Sequence, residues 1–101
     1  MSSNLIWDET KRQSNLQKHG LDFADAEEVL ASRYRLDIDI VRNAELRTQS
    51  ISYALGGFLA VLTVVHTERD LSTRIISFRT ASKQEREAYY DWLQNQCNDP
   101  K

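Results

Sequence analysis

The sequence predicts an α+β fold in which two N-terminal helices and one C-terminal helix accompany an antiparallel sheet. Three observations carry this reading. Two short helical segments near the start are separated by a glycine stop in "KHGLD" (18–22). Four strand-like segments follow, separated by short polar turns or a glycine pair. A capping-box signature, "SKQE" (82–85), then opens a last helix. Helices set apart from a run of hairpins define the α+β class.

The elements follow in order. "NLIWD" (4–8) reads as a short strand, with Leu5 and Trp7 on one face and Ile6 on the other. Asp8 suits a helix N-cap, because its carboxylate can accept from the free amides of a first turn. A helix is expected over 9–18, ended by Gly20 in the left-handed conformation, with Leu21 as the apolar contact that follows such a stop. Asp22 caps a second helix whose inner stripe is Phe23, Ala26, Val29 and Leu30. "RLDIDIV" alternates, Leu36, Ile38 and Ile40 inward and Arg35, Asp37 and Asp39 outward. "ELRTQSISY" is a second strand beyond an Arg42-Asn43-Ala44 turn, and Gly56-Gly57 marks the next hairpin. "FLAVLTVVHT" is apolar on both faces and therefore central. In "TRIISFR" Ile76 and Phe78 should point one way, Ser77 and Arg79 the other. The last helix should carry Ala88, Tyr89, Trp92 and Leu93 on one side.

A length of 101 residues fits one domain, 1–101, with a single core. The balance of 41% hydrophobic and 28% charged residues is that of a soluble globular chain. The longest apolar run, "ALGGFLAVLTVV" (54–65), is too short to span a bilayer and follows no basic leader, so no membrane association or secretion is expected. The lone Cys97 can form no internal disulfide, which fits a cytoplasmic location. A net charge of −2 speaks against a uniformly adhesive nucleic-acid binder. The charge is uneven, however: residues 42–83 hold six Lys/Arg against three Asp/Glu. A concentrated cationic face is therefore compatible with the composition.

Lys18 and His19 precede Gly20, where cations interact well with a helix C-terminus; they could equally be proton-handling groups. Both readings stand at this level. His66, at the end of the central strand, fits a half-buried hydrogen-bonded group as well as a functional one. Two histidines far apart, without a cysteine cluster or HExxH, give no metal site, and no cofactor is expected. A nucleophile elbow, P-loop and dinucleotide fingerprint are all missing from the sequence. Arg47, Arg69, Arg74 and Arg79 lie in or beside the strands, where guanidinium forks suit phosphate. Glu45 could pair with Arg47 or accept a proton. A non-catalytic module docking a partner on an arginine-bearing sheet face would use the same residues. A DNA-binding regulator acting alone is weaker, because no helix carries a basic stripe.

From Trp7 to Tyr89 the chain resembles the BrnT family of type II toxins, which are related in fold to the RelE ribonucleases. The resemblance rests on Trp7-Asp8, Lys11, Asn15, Lys18-His19-Gly20, Phe23, Ala26, Glu45-x-Arg47, "VVHTER" (64–69), "RIIS" (74–77), Arg79, Ala81, Glu85 and Tyr89. It implies a RelE-like fold and a metal-independent endoribonuclease that slows translation by cutting RNA. A cognate BrnA-like antitoxin would block the toxin and make the only contact with DNA. Under this resemblance Lys18, His19 and Glu45 handle protons, and Arg69 and Arg79 stabilise charge. Arg47, Arg74 and Tyr89 would bind RNA.

Overall fold

The structure, a computed structural model, describes residues 4–53 and 60–97. A short strand β1 (Asn4–Ile6) leads into helix α1 (Glu9–His19), a 3₁₀ turn (Phe23–Asp25) and a five-residue helix α2 (Ala26–Leu30). Strands β2 (Leu36–Arg42), β3 (Glu45–Tyr53), β4 (Val61–Arg69) and β5 (Ser72–Thr80) follow, and helix α3 (Lys83–Cys97) completes the described chain. The sheet order is β1-β5-β4-β3-β2. The expectation of a purely antiparallel sheet is corrected. β2 to β5 form an antiparallel meander, but β1 runs parallel to β5, with Leu5 opposite Thr73. A parallel neighbour needs a long crossover, and the chain from α1 to β4 supplies it.

Local chemistry explains the boundaries. Asp8 accepts from the amides of Thr10 and Lys11, and Gly20 closes α1 at φ 73° with its amide donating to the Leu16 carbonyl. Asp22 accepts from Ala24 and starts the 3₁₀ turn, so the second helical segment opens more tightly wound than a regular helix. The β2–β3 hairpin turns on Asn43 and Ala44, both at positive φ (54° and 62°) as a tight twisted hairpin demands. The Gly56-Gly57 turn lies outside the described residues. β4 is central, and Val61 through Thr67 are buried without exception.

Two apolar layers sandwich the sheet. On one face Phe23, Ala26 and Val29 pack on Leu62, Val64, Ile75 and Phe78, with Trp7 edge-on to Phe23 at 6.3 Å. On the other, Tyr89, Trp92 and Leu93 of α3 pack on Ile51, Val61, Leu36 and Ile38. Ala88 is exposed, off the inner stripe expected for it. The alternation expected in β5 also fails at one point. Val65 pairs with Ser77 and His66 with Ile75, so Ile76 is an extra, bulged residue. Ile75 therefore joins Phe78 on the α2 face, and Ile76 is set towards α1.

α1 meets the sheet through β5. Beyond Arg74, β5 has no strand partner on its β1 side, and the Asn15 side chain fills that place. Its Nδ2 donates to the carbonyls of Phe78 (2.7 Å) and Leu21 (3.0 Å), and its Oδ1 accepts from the Phe78 amide (3.2 Å). At the other end of β5, Ser82 and Glu85 form the reciprocal capping box (2.9 and 3.2 Å). Glu85 also takes two bonds from Arg79 (2.8 and 2.9 Å) and one from Thr63 (3.0 Å). Arg79 above all, then these lesser donors, outweighs burial and holds the Glu85 carboxyl down at about 2.

Three outcomes are expected. Asn15→Asp keeps the shape but loses both donor bonds and sets a carboxylate against the buried Phe78 carbonyl; roughly 2–4 kcal/mol of stability should be lost in urea unfolding. Ala44→Gly relieves the left-handed alanine and, net of added unfolded-state freedom, should stabilise by about 0.5–1 kcal/mol. Because Glu85 titrates below its unfolded value of 4.5 when folded, the stability it contributes is complete above that pH and falls as the pH drops towards about 2. Acid-unfolding curves of Glu85→Gln should lack this component.

Candidate functional site

Alternation along each strand decides what the α3 face presents. Glu45 and Arg47 share it with Ile51 and Tyr53, Arg69 with Val61 and Val65, and Arg74 lies opposite Thr67. α3 covers the half of this face that holds Ile51 and Val61. The other half, towards the turns at 43–44 and 70–71, carries the charged groups. There a cavity of about 200 Å³ is lined by Lys11, Glu45, Arg47, Arg69, Arg74 and Ile76, together with Ile75. A neighbouring cavity of about 220 Å³ is lined by Lys11, Ser14, Asn15, Lys18, His19, Ile76 and Ser77. The two share Lys11 and Ile76 and together form a groove between α1 and the β5 bulge.

The first cavity sets four cations against one carboxylate. Glu45 takes a 3.0 Å bond from Arg47 Nε and lies 3.7 Å from Arg69 Nη2. Arg47 chiefly, with Arg69 and Arg74 at longer range, holds the Glu45 carboxyl below the usual carboxylate range, so it is ionised at neutral pH. Arg74, Lys11 and Lys18 make no ion pair among the described residues. Thr67, on the same face opposite Arg74, has a buried hydroxyl with no hydrogen-bond partner among the described residues. The arrangement can bind anions with several donors at once. Among the described residues no group of three or more His, Cys, Asp or Glu is placed to hold a metal ion.

The structure thus gathers six of the eight residues singled out from the sequence: Lys18 and His19 in one cavity, Glu45, Arg47, Arg69 and Arg74 in the other. Two stand elsewhere. Tyr89 is 0% exposed, and its hydroxyl donates to the Tyr34 carbonyl at 2.8 Å. Its assignment to RNA binding is corrected, because its position on the inner stripe of α3 puts the ring in the core. Arg79 lines neither cavity, and its fork is filled by Glu85. Through this pair Arg79 holds α3 to β5. His66 belongs to the opposite face. Its Nε2 lies 2.8 Å from Ser50 Oγ, whose hydroxyl donates to Asp37 at 2.7 Å, and its Nδ1 lies 3.2 Å from Glu68. Burial pushes its pKa down and Glu68 pulls it back up.

Lys11 and Ser14 escaped the site reading of the sequence. The available signal was spacing: Lys11, Ser14 and Lys18 stand at i, i+3 and i+7 and share one stripe of α1.

The family model described as "Ribonuclease toxin, BrnT, of type II toxin-antitoxin system" matches residues 7–85. Among solved structures, the chain is similar to the crystal structure of the Brucella abortus ribonuclease toxin BrnT. The two are 34% identical with a TM-score of 0.60, over 81% of this chain and 100% of that one. No curated protein matches the sequence. With a family match over residues 7–85 and a 34% identical solved relative covered over its full length, the chain belongs to the BrnT family of ribonuclease toxins of type II toxin–antitoxin systems.

Proposed function

We propose that residues 1–101 act as one toxin domain of RelE-like descent, a metal-independent endoribonuclease that inhibits translation in the cytoplasm. A BrnA-like antitoxin neutralises it and supplies any contact with DNA. The observation that carries this reading is the convergence of Lys11, Arg47, Arg69 and Arg74 around one ionised carboxylate, Glu45. In the proposed reaction a ribose 2′-hydroxyl attacks the neighbouring phosphorus and gives up its proton. The bond from phosphorus to the 5′-oxygen breaks, and that oxygen takes a proton, leaving a 2′,3′-cyclic phosphate. Glu45 and His19 flank the shared Lys11–Ile76 junction from its two sides, so one accepts the first proton and the other donates the second. Lys18 assists beside His19. Arg47, Arg69 and Arg74 stabilise the extra negative charge of the pentacoordinate phosphorus, a contribution of several kcal/mol in a preorganised site. Arg79 acts indirectly, through the placement of α3.

The test is induction of the chain in a bacterial host lacking the antitoxin, followed by growth and RNA integrity. Wild type should arrest growth and cut RNA, and Arg69→Ala should lose about 10²-fold or more in cleavage rate with purified RNA. Cleavage should survive a chelator. Well-folded wild type that leaves RNA intact, or cleavage abolished by the chelator and restored by a divalent metal, would sink the corresponding part of the proposal.

A further inference from the structure

We infer that the groove is a two-phosphate track for single-stranded RNA and that Lys11 is the clamp joining its two anion sites. This rests on the ribonuclease reading above and adds to it a substrate form and a binding residue.

Four observations carry it. The cavities adjoin without merging, and Lys11 and Ile76 belong to both. Each has its own cation or cations: Arg47, Arg69 and Arg74 in one, Lys18 in the other, where His19 also lines the wall. Lys11, Lys18 and Arg74 have no carboxylate partner among the described residues, so their charge is open to a ligand, whereas Arg12, Arg35 and Arg79 elsewhere are paired. Finally, beside the groove on the same face, opposite Arg74, Thr67 keeps a buried hydroxyl without a hydrogen-bond partner among the described residues.

The dimensions fit a nucleotide backbone. Lys11 and Lys18 lie two turns apart on α1, about 10 Å along the axis. Phosphates in the two cavities would lie on either side of Lys11, and a lysine carries three donors that can be shared between them. Ile76, bulged out of the ladder, offers the sugar an apolar surface between two charged sites. Cavities of about 200 and 220 Å³ accept a phosphate with its ribose. Single strands are the form proposed for it, because an unpaired backbone can bend to follow two adjoining sites while its bases stay free. Charge focusing follows. A chain of net charge −2 keeps five lysines and arginines in this groove against one carboxylate, so an RNA strand is drawn to this face and repelled elsewhere.

Fluorescence anisotropy with dye-labelled, non-cleavable 2′-O-methyl oligouridylates tests the inference. A dinucleotide carries one internal phosphate and a trinucleotide carries two. Wild type should bind the trinucleotide about tenfold more tightly, with a salt slope steeper by about 0.7. Lys18→Gln should abolish that gain, bringing the trinucleotide's affinity down to that of the dinucleotide. Arg74→Gln should weaken both probes equally. Lys11→Gln should weaken the dinucleotide and also abolish the trinucleotide's gain over it, and Lys11→Arg should restore both affinities. Equal affinity of wild type for the two probes overturns the track. A Lys11→Gln variant that changes neither probe, or only one, removes the clamp. Wild type that cleaves RNA yet shows no length gain defeats this inference alone; wild type that neither binds nor cleaves RNA defeats the ribonuclease reading with it.

Discussion

The Asn15 carboxamide is the contact on which the groove depends. On its β1 side β5 loses its strand partner after Arg74, and its next backbone groups there would be left open at an edge beside a buried core. Asn15 answers them as another strand would, donating to the Phe78 carbonyl and accepting from the Phe78 amide. Because the bond has two directions, it fixes both the distance and the rotation of α1 against the sheet. That rotation sets the exposed Lys11–Lys18 stripe beside the bulge, where it lines the groove. A substitute with one hydrogen-bonding sense could hold the helix near β5 without orienting it.

Around this contact the charges divide into two kinds. Arg12 on Asp22 and Arg79 on Glu85 are saturated pairs that fasten α1 to the turn beyond it and α3 to the sheet. Their forks are closed by carboxylates and have little left for a ligand. The groove cations are under-compensated instead. Glu45 serves two arginines and leaves Arg74, Lys11 and Lys18 without a partner among the described residues. A concentration of like charge is unfavourable to folding by itself, so it is supported by rigid strands and a twice-anchored helix. This is the pattern of a site that stores repulsion for an anion to relieve.

The bulge at Ile76 links the sheet to this site. One extra residue in β5 keeps Ile75 in the α2-face core and Arg74 on the opposite face while freeing Ile76 for the groove. Regular alternation could not set Ile75 and Phe78, three residues apart, on the same face. On the far face, β4 is tied to β3 and β2 by the His66, Ser50, Asp37 and Glu68 network. Its buried polar groups fix the register there.

By itself the sequence determined the elements and their ends. Asp8, Gly20, Ser82 and Glu85 act on neighbours a few residues away, and the doubly apolar run of β4 can only be central, so these features need no distant partner to be read. It also marked the cationic middle of the chain and singled out Lys18, His19 and Glu45 as possible proton-handling groups. Only the tertiary structure decided which of the marked groups meet. The parallel β1–β5 pairing, the bulge at Ile76 and the burial of Tyr89 all depend on contacts between residues far apart in the chain. A local period carries no record of such contacts. Arg79 and Arg69 look alike in sequence, yet one meets Glu85 and the other faces an open groove, because a side chain's chemistry is set by what folds against it.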